Sequence, residues 1–153
     1  MELQREIPPV PMQVISGCLV ASIQLDLTTE ILRRFQQDLL QRIKSSSVSA
    51  VLVDVSGVEI MDLEDFELLR RSMAMASIMG ARPIMVGLRP GIVASLIALD
   101  AKVDGIEAAA DLDDALERLR PVATDSGATA DTAESLDRGA PSNETANEAG
   151  TEG

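Results

Sequence analysis

The chain contains no histidine, no tryptophan and no tyrosine, and its only aromatic side chains are Phe35 and Phe66. Without histidine the commonest general base and metal ligand is missing, which excludes Ser/His/Asp and Cys/His catalysis. Zinc would be left with carboxylates and one thiol. Stacking on single-stranded nucleic acid has almost no aromatic faces to use. The single cysteine, Cys18, excludes an internal disulfide and suits a reducing compartment. It reads as a small buried hydrophobe. Basic charge is scarce as well: 13 Lys and Arg stand against 25 Asp and Glu, a net charge of −12. Such a chain is a poor ligand for a phosphate backbone or an anionic membrane surface. No apolar run approaches the ~20 residues that span a bilayer. The first residues show no cationic segment leading into an apolar one, as a secretory signal would. The expected location is the cytoplasm, and no cofactor or metal is expected.

What is present is organised around Ala50–Met79. Ala50–Val55 is an almost continuous, largely β-branched apolar run, the pattern of a strand buried on both faces. Ser56 and Gly57 mark a turn. From Leu63 the spacing becomes helical, with Phe66, Leu69, Met73 and Ala76 on one face. A helix beginning at the carboxyl end of a buried strand lies where open α/β sheets present their functional surface.

The rest of the chain extends this plan. Pro8, Pro9 and Pro11 give an extended lead-in. Met12–Ile15 and Cys18–Gln24 are β-rich runs joined by a tight turn at Ser16-Gly17. Asp26 or Thr28 caps a helix striped by Leu32, Phe35, Leu39 and Ile43. Gly80 stops the central helix. Ile84–Leu88 is the next strand, with Pro83 near its beginning. Ile92–Leu99 reads as a short helix turning Val93, Leu96 and Ile97 inward. Val103–Ile106 is a last short strand. Asp111 caps a final helix with Leu112, Ala115, Leu116 and Leu119 inward. Alternation of strands and helices predicts an α/β domain over residues 6–120. Residues 121–153 hold seven acids, one base and only Val122 and Leu136 as large aliphatics. That composition predicts a disordered acidic tail, acting as a solubilising brush or, alternatively, as a peptide that docks on a basic partner.

With these residues in view, the chain resembles the STAS-domain family, the anti-sigma-factor antagonist fold. A hairpin lead-in is followed by Val53-Asp54-Val55-Ser56-Gly57-Val58 and Met61-Asp62, then by Met79-Gly80-Ala81-Arg82 and Val86-Gly87-Leu88-Arg89-Pro90. Cys18–Gln24 and Phe35–Leu40 bring it nearest to the stressosome scaffolds of that family. The resemblance implies a four- to five-stranded mixed sheet flanked by about four helices. It also implies a non-enzymatic protein that co-assembles with copies of itself and with RsbR-like STAS proteins. That assembly sequesters an RsbT-like serine/threonine kinase until phosphorylation releases it. The alternative within the family is an antagonist that binds one anti-sigma kinase and forms no particle.

The usual phosphoacceptor of the family is a serine after the Asp at the start of the central helix. Here Leu63 follows Asp62, with Glu64 and Asp65 next. A second acceptor position, in the helix after the Arg-Pro loop, carries Ser95. Ser56 and Ser72 are weaker candidates, read as a turn residue and an exposed helix residue. Asp62, Leu63, Glu64, Asp65 and Arg89 form the expected partner-binding surface. The acids either cap the helix in the ordinary way or stand where a switch phosphate would place ~−1.5 to −2 of charge. Gly87–Gly91 is too short, and lacks the lysine, for a phosphate-cradling loop. Five methionines (Met61, Met73, Met75, Met79, Met85) suit core filling or an adaptable docking surface. A small enzyme or ligand-binding domain using Asp54 and Asp62 around a metal is the rival from another class.

Overall fold

The computed structural model describes residues 6–24 and 26–121. Its elements run β1 (Met12–Ile15), β2 (Cys18–Ser22), α1 (Thr29–Ser45), β3 (Ala50–Asp54), α2 (Leu63–Ile78), β4 (Arg82–Val86), α3 (Pro90–Ala98), β5 (Ala108–Ala109) and α4 (Leu112–Arg118). The five strands form one sheet in the order β1-β2-β3-β4-β5. β1 pairs antiparallel with β2, and every later pair is parallel. Among the described residues no helix is long and apolar enough to cross a membrane. From Val122 onward the expected acidic tail lies outside the described residues.

Successive parallel strands are added in one direction, and right-handed crossovers then place their helices on one face. Leu32, Phe35, Leu39 and Ile43 of α1, Phe66, Leu69, Met73 and Ala76 of α2, and Ile92 and Leu96 of α3 share one apolar cluster with Val51, Val53 and Met85. Leu52, Ile84 and Val86 point to the other face, where Ala115 of α4 meets them, with Leu112, Leu116 and Leu119 at the margin. The alternation along β3 is therefore hidden in sequence: both sets are apolar because both faces are covered.

Several boundaries and faces differ from the sequence expectation. β2 ends at Ser22 rather than Gln24. β4 begins at Arg82 and ends at Val86, because Gly87 (φ 77°) leaves the extended region. Pro83 sits inside that strand without loss, since β5 covers only Met85 and Val86 on the outer side. The last strand is Ala108–Ala109, not Val103–Ile106. Val103 is exposed, and Asp104-Gly105 turns the chain there with Gly105 at φ 81°. In α3 the buried residues are Ile92 and Leu96, whereas Ile97 is 61% exposed rather than inward. A run with no polar stripe cannot fix the phase of its own helix. Cys18 is buried, and burial pushes its thiol up from the ordinary range.

Candidate functional site

The carboxyl ends of β3 and β4 release the chain into two neighbouring helix starts. After β3, the Asp54 carboxylate accepts the Ser56 N–H at 2.9 Å and tightens the turn. Val58 and Met61 turn back into the core, while Ile60 is left 82% exposed. Asp62 then caps α2. The Asp65 N–H donates to Asp62 Oδ1 at 2.8 Å, and the Asp62 N–H donates to Asp65 Oδ2 at 3.2 Å. This is a reciprocal capping box. It satisfies amides that α2 itself leaves orphaned, and it sets acids at the positive end of the helix.

The box divides the acids into two kinds. Asp62 and Glu64 face solvent, whereas Asp65 is 9% exposed. Burial holds the Asp65 carboxyl above the usual carboxylate range. The Asp62 N–H opposes that effect, and the charges of Asp62 and Glu64 add to it. Asp65 is thus a structural member of the helix start rather than part of an accessible acidic surface. What stands exposed around this helix start is Glu59, Ile60, Asp62, Leu63 and Glu64. Leu63 is 42% exposed. Ile60 did not stand out in the sequence. No period marks it, since Val58, two residues before it, and Met61, next to it, both turn inward.

The second start, after β4, is built differently. Gly87 is required because a Cβ there would come within 2.8 Å of Ser56 Cβ, so the two loops pack closely. Arg89 ties them together, its Nε donating to the Ser56 carbonyl at 3.1 Å. Arg89 occupies the cap position of α3 but offers no side-chain cap, and Pro90 opens the helix. Ser95 lies exposed on α3. Ser56 is exposed in its turn.

Ser72 departs from expectation. It is 2% exposed and its hydroxyl donates to the Leu68 carbonyl at 2.9 Å, so it is an inward helix residue and not a surface one. The methionines divide: Met61, Met73 and Met85 fill the core, while Met75 and Met79 are exposed toward the other end of the sheet.

The Asp54 and Asp62 carboxylates each accept a backbone N–H of their own loop. Among the described residues no group of three or more His, Cys, Asp and Glu is placed to hold a metal ion. A cleft of about 440 Å³ opens where β3, β4 and β5 end, between Ser56, Gly87 and the start of α4. Its walls carry Asp54, Asp111 and Asp113 and no base, which disfavours an anionic ligand.

No protein-family model and no curated protein sequence matches the chain. Solved structures do. A serine-to-glutamate variant of Moorella thermoacetica RsbS superposes with a TM-score of 0.62 at 21% identity, over 71% of this chain and 92% of that one. A chain from the molecular architecture of the stressosome, described as a signal integration and transduction hub, gives 0.58 at 18%, over 71% and 94%. The anti-sigma factor antagonist SpoIIAA in its unphosphorylated form gives 0.57 at 14%, over 74% and 99%. The chain has the fold of these STAS-domain proteins: a five-stranded mixed sheet with four helices.

Proposed function

We propose that a chain with this fold works as a non-enzymatic docking module: a stressosome scaffold that co-assembles with itself and with RsbR-like STAS proteins and holds an RsbT-like serine/threonine kinase in the cytoplasm. The observation that carries the reading is the pair of joined helix starts. At α2 the exposed Leu63 stands between Asp62 and Glu64, so fixed negative charge and apolar surface occupy a position with no hydroxyl to modify. At α3 the exposed Ser95 offers one. Phosphate there would add ~−1.5 to −2 of charge on a helix tethered to the α2 loop through Arg89 and Ser56. On this reading phosphorylation releases the kinase from α3, while α2 contributes constant recognition. Arg89 joins the two loops and sets a base beside them.

Co-expression with an RsbR-like protein and an RsbT-like kinase, followed by size-exclusion chromatography with light scattering, tests it. A megadalton species containing all three supports the scaffold. A monomer, or a complex with an anti-sigma kinase alone, supports the simpler antagonist. That second reading draws support from SpoIIAA, because the superposition takes in 99% of that antagonist's chain.

A further inference from the structure

We infer that the free edge of β1 joins two copies of this chain through an antiparallel β1–β1 pairing centred on Gln13. β1 is the first strand of the sheet, and among the described residues no strand lies on its outer side. The hairpin fixes which of its groups are free. Ser16 (φ 52°) and Gly17 (φ 78°) make a two-residue turn with both φ values positive. Ile15 and Cys18 close it, and the register runs Gln13↔Val20 with Met12↔Ala21 and Val14↔Leu19 between. The Ser22 N–H donates to the Pro11 carbonyl at 3.1 Å, which places Pro11, Gln13 and Ile15 in the bonded rungs of the ladder. The N–H and C=O groups of Met12 and Val14 therefore point outward.

A two-fold axis at Gln13 sets Met12 of one copy against Val14 of the other, twice. All four outward N–H groups and C=O groups then pair, and the strand is its own complement. The side chains suit the arrangement. Val14 is 48% exposed, Ile15 is also exposed, and each Gln13 faces its counterpart.

Charge selects a second copy over an arbitrary strand. From Ile7 to Leu25 the sequence carries no charged residue, its longest such stretch. Residues 6–45 hold four acids and four bases, whereas residues 46–121 hold 13 acids and seven bases. Two copies of an acidic protein meet least repulsion where β1, β2 and α1 lie. Beside the edge, a groove of about 310 Å³ is rimmed by Asp38 and Arg42, one of each sign. An isologous contact can set one copy's acid against the other's base there. The edge also lacks the lysines and inward charges by which sheet edges commonly avoid pairing.

The test uses the full chain. In the proposed register Gln13 and its counterpart form a non-hydrogen-bonded pair with Cα atoms ~4.5 Å apart, inside the ~4.4–6.8 Å that a disulfide spans. Gln13→Cys in a Cys18→Ala background is expected to cross-link into a covalent dimer on mild oxidation. Gln37→Cys, on the solvent face of α1, is the collision control. Cross-linking of Gln13→Cys no faster than the control overturns the proposal. Sedimentation across a micromolar-to-submillimolar series gives the second readout. Gln13→Lys and Gln13→Glu, each alone, are expected to weaken association about tenfold or more, because like charges then oppose across the axis. Mixing the two variants is expected to restore it, which also shows that both fold. A parent chain that stays monomeric, or a Gln13→Lys variant that associates as tightly as the parent, overturns the pairing. The inference gives a surface to the self-association in the functional reading, and the two fail separately. A cross-linked dimer that binds no kinase removes the kinase reading alone, and a large particle without the Gln13 cross-link removes this contact alone.

Discussion

α2 and α3 begin side by side at the carboxyl ends of adjacent parallel strands, yet they are held in opposite ways. α2 is sixteen residues long, buries six of them and starts with a reciprocal capping box. α3 is nine residues long, buries Ile92 and Leu96, and starts without any side-chain cap. The anchored helix carries fixed acids and Leu63. The lightly held one carries the exposed hydroxyl of Ser95. Under the proposed function, a binding surface that must persist and a site that must yield to a modifying enzyme would make different demands on anchoring, and the two helices would divide them.

The largest expected effect lies in the core beneath the pair. Leu69→Ala removes a fully buried side chain of α2 and should cost ~2–5 kcal/mol in urea unfolding. Ile97→Ala on α3 removes an exposed one and should stay within ~0.5 kcal/mol. Comparable losses would erase the contrast in anchoring.

Next comes the capping. Asp62→Ala should cost ~1 kcal/mol and speed amide exchange in the first turn of α2. Arg89→Ala removes no cap from α3 and should leave exchange at the start of that helix unchanged, while loosening the turn at Ser56.

A pH dependence sharpens the comparison further. The folded state raises the Asp65 proton affinity, so it binds more protons than the unfolded chain between the ordinary carboxylate range and the raised value. Stability from this group therefore falls as pH rises through that window. Asp65→Asn keeps an oxygen acceptor for the box and should flatten that part of the stability–pH curve. The Arg82 guanidinium holds Glu107 below its usual range, the opposite sign. Arg82→Gln should therefore lower stability at neutral pH, with the difference closing as Glu107 is protonated in acid. Unfolding midpoints of the variants from acid to neutral pH check both.

The smallest stability effect, and the most informative for docking, belongs to the solvent-facing acid Glu64. Glu64→Gln should leave unfolding within ~0.5 kcal/mol while weakening kinase retention. Unchanged retention would reduce the acids to helix caps.

Much of the architecture was legible because periodicity survives wherever one face is buried. The spacing of Leu32, Phe35, Leu39 and Ile43 placed α1, and Phe66, Leu69, Met73 and Ala76 placed α2. Thr28 and Asp111 were readable as caps, and Asp62 with Asp65 as a capping pair. Elements without a period were not legible. β5 is two alanines recognised only through their pairing with Met85 and Val86. The phase of α3 was lost in an unbroken apolar run. At the site, residue type misled twice. Ser72 looked polar and outward, but a hydroxyl can be buried by donating to the carbonyl four residues back. Asp65 looked like surface charge, but the box that makes it a cap also turns it inward.

The most direct test of the division between the two helices is phosphosite mapping by mass spectrometry after the full chain is incubated with an RsbT-like kinase. The account predicts phosphate on Ser95 and none on Ser72. An unlabelled Ser95 would contradict it, whichever other hydroxyl the kinase had taken.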